Sequence, residues 1–384
     1  MRIKDLAKRF TYHVLYPAVY RLHTIRGIDS RLMLFVEMNA AVPSNNFLLV
    51  MEELRRRGYT CDFVTLKRLT SNGFLYVGAC MRMAWKAARS SVIWVCDGSM
   101  PVSCLPLRPQ SKIVQLWHAC GAFKKFGEST ADAIFGASQK ERKEFPYYAN
   151  LSLVTVSSPK VIWAYEEAMG LDVASNVVQP LGVSRTDVYF DKDYIRAQRD
   201  RMLEAVPSAA GRKVLLYAPT FRGQVTSATA PNGLDFELLR KQLEDNWVVL
   251  VKHHPFVSKR DALPVSCADF AFDITDDLSI ECCLCAADAL ITDYSSVIFE
   301  YALLRRPMAF FAYDLDDYND WRGFYYDYED MTPGPVMQSS QQVAEWVGGL
   351  TEDVDLAEID AFYHEFMSAC DGNATVRILD TALH

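Results

Sequence analysis

Short apolar runs alternate with amphipathic stretches along most of this chain, and many of the runs end at polar or glycine-containing segments. The run at 32–36, for example, is followed by a polar loop and then by a helical pattern at 47–57 that ends at Gly58. Apolar strands that alternate with helices are typical of a parallel sheet covered on both faces. The predicted strands of the first half are 32–36, 61–64, 91–96, 113–116, 151–156 and 176–179, with a second helix at 159–169.

The pattern begins again in the second half of the chain. A length of 384 residues, of which 50% are hydrophobic, is sufficient for two separate cores. We therefore predict an α/β protein with two Rossmann-like lobes and a central cleft, divided into residues 1–188 and 189–384. The segment 343–383 is helical by pattern and could pack on either lobe. The predicted strands of the second half are 214–218, 247–251, 289–291 and 308–311, with a helix at 234–246.

Charge and cysteine content narrow the class of protein. A net charge of −8 argues against general nucleic-acid binding, which needs a basic face. The 10 cysteines lie in apolar or helical contexts without a secretory signal, so we expect reduced thiols in a cytosolic protein. The cluster Cys282, Cys283 and Cys285 lacks a second ligand pair at zinc-site spacing, and helix packing explains it better. We predict no metal site and no cofactor.

The N-terminal segment 1–26 differs from the rest of the chain. It carries several basic residues against a single acid, Asp5, and Leu6, Phe10 and Val14 recur at helical spacing. A basic amphipathic helix suits an anionic membrane surface. The alternative is a helix that packs on its own domain. No run of 18 apolar residues is present, so we expect no membrane-spanning segment.

A histidine stands at the end of the predicted strand 113–116. His118 is followed by small residues and by Lys124, and ligands of open α/β sheets bind at this end of the strands. A base and cations at a strand end suit an anionic substrate whose reaction needs proton transfer. The alternative is a strand end with solvated lysines.

A second histidine ends a strand of the second half. Because side chains alternate along an extended chain, Lys252 and His254 should share one face, while His253 points away. Together they could hold a phosphate and stabilise a leaving group. A strand end with solvated polar residues is the alternative.

A serine pair follows the predicted strand 289–291. Ser295 and Ser296, after Thr292, open an amphipathic helix whose first N–H groups could bind phosphate. Glu300, one turn further on, could reach ribose hydroxyls or could be a surface acid.

Two further segments of the second half carry candidate binding residues. Arg222 follows a strand end and is a candidate phosphate clamp. An aromatic loop at 321–329 contains Arg322 and Asp327, and it could wall a nucleotide pocket or pack as a surface loop.

Taken together, these motifs resemble the CDP-glycerol glycerophosphotransferases, the teichoic acid primases and polymerases. The resemblance covers about residues 28–340, with the motifs in the family order. Many members have His-Gly-x-Pro-Leu-Lys where this chain has a longer segment from His118 to Lys124, which leaves the acceptor less certain than the reaction. The matching motifs are His118 with Gly121 and Lys124, Lys252-x-His254-Pro255, Thr292-Asp293-Tyr294-Ser295-Ser296, Arg322-Gly323-x-Tyr325-x-Asp327-Tyr328-Glu329 with Pro333-Gly334, Ala218-Pro219-Thr220-x-Arg222, and Gly182-x-Ser184-Arg185-x-Asp187.

The resemblance implies a GT-B fold with an acceptor-side N-terminal lobe and a donor-binding C-terminal lobe. By resemblance, His118 would be the base that deprotonates the acceptor hydroxyl, and His254 would assist departure of CMP. Ser295 and Ser296 would hold the pyrophosphate, with help from Arg222. The two histidines are expected to meet at the cleft.

The resemblance also implies an activity. We expect transfer of glycerol phosphate from CDP-glycerol to a hydroxyl of a lipid-linked saccharide acceptor, with release of CMP, at the cytoplasmic face of the membrane. CDP-ribitol is the alternative donor, and a nucleotide-sugar glycosyltransferase is the alternative enzyme. A catalytically silent binding module for a lipid-linked polymer is the alternative outside catalysis.

Overall fold

The computed structural model describes residues 3–67, 73–131, 138–223, 227–316, 318 and 323–384. They form two compact units: unit 1 comprises Met1–Asp187 with Ser368–His384, and unit 2 comprises Val188–Met367. The sequence-based division placed everything after residue 188 in the second lobe, whereas the last segment of the chain packs with unit 1.

Unit 1 is built on a six-stranded sheet in the order β2-β1-β3-β4-β5-β6, in which every pair is parallel. Its strands are β1 Asp29–Glu37, β2 Thr60–Thr65, β3 Ser90–Val95, β4 Lys112–Gln115, β5 Leu153–Thr155 and β6 Val178–Gln179. Its helices are α1 Ile3–Phe10, α2 Tyr16–His23, α3 Asn45–Arg56, α4 Gly73–Ala87, α5 Met100–Ser103, α6 Gln139–Glu144 and α7 Ile162–Met169, with a π-helical turn Thr11–Leu15 between α1 and α2.

Both faces of the unit 1 sheet are buried, which explains the uninterrupted apolar runs. Along β1, Leu34 and Val36 face a core with helices α2 and α4, while Met33 and Phe35 face a second core with α3. The period of two along the strand thus divides its apolar residues between two helix layers.

The last helix of the chain, α14 (Ala374–Leu383), belongs to the second of these cores. The Asp187 carboxylate accepts hydrogen bonds from the backbone N–H groups of Ala374 (3.0 Å) and Thr375 (2.8 Å) at the start of the helix. Gly182 has a φ of +90°, and a Cβ there would lie 2.6 Å from the Cβ of Ala374. The motif at 182–187 therefore holds the first residues of α14. The helical pattern of the sequence alone could not indicate that this helix packs on unit 1.

Unit 2 contains a second six-stranded, all-parallel sheet in the order β12-β11-β10-β7-β8-β9. A core of buried residues from β7, β8, β10 and β11 packs against α9 and α12 on one face. The strands are β7 Lys213–Tyr217, β8 Trp247–Val251, β9 Ala271–Asp273, β10 Ala289–Thr292, β11 Met308–Phe311 and β12 Val336–Met337. The helices are α8 Lys192–Ala205, α9 Phe236–Leu243, α10 Ile280–Ala286, α11 Val297–Leu303, α12 Ser340–Gly348 and α13 Ala357–Phe366.

The cysteine cluster of the sequence lies in α10, where Cys282, Cys283 and Cys285 are buried. Cys282 Sγ donates to the Gln198 carbonyl of α8 at 3.2 Å, and burial raises the pKa of the Cys283 thiol to about 12. The three thiols are thus buried in helix packing, which the sequence analysis favoured, and Cys282 contacts α8. Among the described helices, none is both long and apolar enough to cross a bilayer.

Candidate functional site

In unit 1, the backbone turns sharply where β4 ends. Trp117 has a φ of +59°, which is uncommon for a residue with a side chain. Gln115 holds this turn, because its Oε1 accepts from Trp117 N (3.0 Å) and its Nε2 donates to the Asp97 carbonyl (3.0 Å). The turn presents the His118 side chain, which keeps 47% of its surface exposed.

The contacts of His118 Nδ1 assign its tautomer. Nδ1 is hydrogen-bonded to the Cys96 carbonyl oxygen at 3.1 Å, and Asp97 Oδ1 lies 2.8 Å from it as an ion-pair contact. A carbonyl can only accept and a carboxylate favours an N–H beside it, so in the neutral ring Nδ1 carries the proton and Nε2 carries the lone pair. In this state the imidazole is ready to take a proton at Nε2.

Asp97 follows β3, the strand next to β4, and sequence reasoning did not select it. Its Oδ2 accepts from Asn39 Nδ2 at 2.9 Å, and Asn39 follows β1. Three neighbouring strand ends therefore converge on His118. The sequence did carry a signal for Asp97, because it directly follows the apolar run at 91–96. The carboxyl ends of neighbouring parallel strands meet at one edge of the sheet, which brings this acid close to the end of β4.

Glu37, Cys96 and Asp97 are the one group of three close potential metal ligands within the described ranges of the chain. Glu37 Oε1 is already occupied by the backbone N–H groups of Met38 (3.0 Å) and Asn39 (3.1 Å). Burial, with the charges of Asp97 and Glu37, raises the pKa of the Cys96 thiol well above its usual range. A protonated thiol is a poor ligand, so this donor set does not suit a metal ion.

The segment from His118 to Lys124 is tied down on unit 1. Gly121 N donates to Ser157 Oγ (3.1 Å), and the Tyr165 hydroxyl donates to the Gly121 carbonyl (2.9 Å). Lys124 lies half-buried in this segment. Arg185, quoted above as part of a motif, lies 3.7 Å from Cys120 Sγ and brings a further cation to the segment.

In unit 2, Arg222 is held by two carboxylates. Its Nε and Nη2 donate to Asp314 at 2.6 and 2.9 Å, and Nη1 donates to Asp293 at 2.9 Å and to the Thr220 carbonyl at 2.6 Å. Burial by itself would lower the pKa of Arg222. The hydrogen bonds to Asp314 and the charge of Asp293 outweigh this effect, so the pKa is raised above its ordinary value. Four of its five N–H donors are engaged within unit 2, which favours a structural counterion, and the role of a phosphate clamp stays a prediction.

Two other predicted binding residues also bond to the backbone. Thr292 Oγ1 donates to the Ala218 carbonyl at 2.7 Å and links β10 to β7. Lys252 Nζ donates to the carbonyls of Thr275 (2.6 Å) and Leu278. Both side chains therefore stabilise the strand ends that carry the neighbouring polar groups.

His254 has the opposite tautomer from His118. Phe256 N–H, which can only donate, bonds to His254 Nδ1 at 3.2 Å, so Nε2 carries the proton. The ring packs against Phe221 and Phe256, with centroids 4.9 and 4.6 Å away, and the two phenylalanine rings also contact each other at 5.7 Å. In its neutral form this imidazole is a donor at Nε2, which suits an oxygen that gains negative charge.

The serine pair lies where β10 leads into α11. Ser295 and Ser296 are half-buried, and Ser295 Oγ accepts from Val297 N at 3.4 Å. Glu300 is only 8% exposed, which excludes the surface-acid alternative.

The aromatic loop is attached to the same strand end, because the Tyr328 hydroxyl donates to the Asp293 carbonyl at 3.0 Å. Asp327 is exposed beside it. Arg322 lies outside the described residues.

Comparisons with known proteins agree with the motifs. Residues 18–384 match the family model described as CDP-glycerol:poly(glycerophosphate) glycerophosphotransferase, which confirms the resemblance. A teichoic acid poly(ribitol-phosphate) polymerase of Bacillus spizizenii is 37% identical over 95% of this chain, and this chain spans 58% of its length. A teichoic acid ribitol-phosphate primase of that organism is 38% identical over 76% of this chain and 75% of its own. A teichoic acid glycerol-phosphate primase of Bacillus subtilis is 29% identical over 76% of this chain and 73% of its own.

Solved structures confirm the fold. The wall teichoic acid polymerase TagF superposes with a TM-score of 0.77 at 22% identity, over 99% of this chain and 96% of that one. A UDP-N-acetylglucosamine 2-epimerase gives a TM-score of 0.58 at 12% identity, over 91% and 94% of the two chains. The chain is thus an α/β protein with two Rossmann-like sheets and a GT-B-like fold.

Proposed function

The chain belongs to the CDP-glycerol:poly(glycerophosphate) glycerophosphotransferase family, and from that premise we propose that it transfers a polyol phosphate from a CDP-polyol to a hydroxyl of a lipid-linked saccharide acceptor, releasing CMP. Unit 2 would bind the donor, and unit 1 would supply the base for the acceptor. The observation that carries the proposal is the hydrogen bonding of the two family-motif histidines, which gives one an acceptor nitrogen and the other a donor nitrogen.

CDP-ribitol is the donor that the relatives favour. The two relatives named above with 37 and 38% identity are a ribitol-phosphate polymerase and a ribitol-phosphate primase. CDP-glycerol, which the motifs suggested, is the second candidate, because the family model and the 29% identical primase carry the glycerol name. Both donors share the CMP leaving group, so the same site chemistry serves either.

The proposed reaction is an in-line displacement at the phosphorus that bears the polyol. The acceptor hydroxyl loses its proton to His118 Nε2 as its oxygen bonds to that phosphorus. The bond from the phosphorus to the bridging oxygen breaks, and CMP leaves with the bonding electron pair. His254 Nε2–H donates to the departing phosphate, and Ser295 and Ser296 offer hydroxyls to the pyrophosphate. Base assistance of this kind contributes roughly 10²- to 10⁴-fold.

The N-terminal helix supports a peripheral membrane role, which we propose lies at the cytoplasmic face. Leu6, Phe10 and Val14 are 50, 58 and 50% exposed and lie at i, i+4 and i+8 spacing, so they form one apolar face. On another side, Lys8 bonds to Glu141 at 2.8 Å and Arg9 to Glu144 at 2.9 Å, which fixes the helix to unit 1. We propose that the apolar face enters the interface of an anionic membrane.

Liposome flotation tests this contact. Replacing Leu6, Phe10 and Val14 together by serine should abolish flotation with anionic vesicles while CMP binding is retained. Flotation equal to that of the wild type would place the membrane contact elsewhere.

The activity is tested by incubating the protein with a lipid-linked saccharide and either CDP-ribitol or CDP-glycerol, with CMP release and product mass as readouts. We expect acceptor-dependent CMP release, faster with CDP-ribitol. His118→Ala should lose turnover and retain CMP binding. A wild-type protein that binds CMP but turns over neither donor would instead support a binding module, and turnover of a nucleotide sugar would support a glycosyltransferase.

A further inference from the structure

The Asp97 carboxylate is the charged side chain beside Nδ1 of His118. Its Oδ1 lies 2.8 Å from His118 Nδ1, and only 15% of its side chain is exposed. We propose that Asp97 is a positioning residue for the transfer reaction: it holds His118 in the tautomer with a free electron pair on Nε2 and stabilises the imidazolium that forms when Nε2 takes the acceptor proton. This inference rests on the proposed function and adds a residue to its machinery.

The carboxylate itself is held in one orientation. Asn39 Nδ2 donates to Oδ2 at 2.9 Å, and this side-chain atom must be the nitrogen because a carboxylate only accepts. Cys96 Sγ lies 3.7 Å from the same oxygen as a weak donor. Oδ2 is therefore occupied from the side of β1 and β3, and Oδ1 is left to face the imidazole. The backbone of Asp97 is fixed as well, by the bond from Gln115.

The Cys96 carbonyl accepts the hydrogen bond of Nδ1 at 3.1 Å and also favours the Nδ1–H tautomer. It carries no charge, however. A full negative charge beside the ring offsets the positive charge that develops on proton transfer, which a neutral carbonyl does only weakly. In the proposed step the proton stays on Nδ1, and Asp97 acts through its negative charge.

Asp97→Asn separates these effects with little change in shape. The two donors at the Oδ2 position favour the amide oxygen there, which turns the amide NH₂ group toward His118 Nδ1. An N–H donor beside Nδ1 competes with the Cys96 carbonyl that accepts from it, so the ring proton shifts toward Nε2, and the negative charge beside the imidazolium is lost. Asp62→Asn is the matched control, because Asp62 is an acid of β2 in the same unit that pairs with Lys86 at 2.5 Å.

The experiment measures donor turnover and the ¹⁵N shifts of the histidine ring nitrogens, assigned by comparison with His118→Gln. We expect wild-type His118 to show Nδ1–H. Asp97→Asn should show a shift toward Nε2–H and a fall in kcat of about 10²-fold or more, within the range of general-base catalysis, with the donor KM unchanged. Asp62→Asn should match the wild type in both readouts.

Two results would overturn the inference. One is a wild-type spectrum with the His118 proton on Nε2, a result that does not depend on whether the Asp97→Asn protein folds. The other is an Asp97→Asn protein with unchanged kcat. If the wild type turns over neither CDP-polyol, the proposed function fails instead, while the ¹⁵N spectra still report whether Asp97 sets the tautomer of His118.

Discussion

Replacing Arg222 by methionine distinguishes a structural counterion from a phosphate clamp. Asp293 is 2% exposed, and Arg222 is its partner at 2.9 Å. Removing one partner of a buried ion pair costs about 3–5 kcal/mol, because the other charge stays buried without compensation. For a unit of this size, 1 kcal/mol corresponds to roughly 2–4 °C in Tm, so we expect the transition of unit 2 to fall by about 10 °C.

Calorimetry of Arg222→Met, with two companions, is the assay. Arg199→Met removes a partly exposed pair with Asp288 (3.0 Å) and should cost about 0–1 kcal/mol. The double variant Arg222→Met with Asp293→Asn should recover part of the loss, because the amide oxygen can still accept from Thr220 and Tyr294. A single Arg222→Met variant that melts like the wild type but no longer binds CMP would refute the counterion role.

Three other outcomes follow from the described contacts. Burial lowers the pKa of His253 from 6.5, so the unfolded chain takes up a proton at a higher pH than the folded chain, and stability falls as the pH drops below about 6.5. His253→Leu should therefore reduce the change of the urea midpoint between pH 7.5 and 5.5, and the exposed control His364→Leu should leave that change as in the wild type. Gly182→Ala should destabilise the packing of α14 against residues 182–187 by about 1–3 kcal/mol, which should speed the proteolytic release of residues 368–384. An unchanged cleavage rate would contradict this role. Turnover should persist in EDTA, because the described carboxylates Asp293 and Asp314 are paired with Arg222. Loss of turnover in EDTA that a divalent cation restores would contradict this prediction.

The parallel sheets were predictable because strands buried on both faces leave continuous apolar runs in the sequence. Each predicted strand of both halves corresponds to a strand of the structure, whereas β9 and β12, which are 3 and 2 residues long, were missed. The position of α14 was not predictable, because the contact of Asp187 with Thr375 spans 188 residues of sequence.

At the site, residue type indicated which strand ends carry chemistry but not how each side chain uses its donors. Arg222 and Lys252 were predicted to face a phosphate, yet they bond to carboxylates and carbonyls that folding brings beside them. Asp97 was overlooked for the converse reason. A single acid after β3 acquires its proposed role only because His118 follows β4, the neighbouring strand in the sheet.

The central claim is that His118 is the base of a CDP-polyol phosphotransferase. Single-turnover CMP release from CDP-ribitol and from CDP-glycerol, with acceptor present, tests it most directly in the wild type and in His118→Ala. We predict acceptor-dependent release by the wild type and a fall of about 10²-fold or more in His118→Ala at unchanged CMP affinity. Equal rates in the two proteins would contradict the claim.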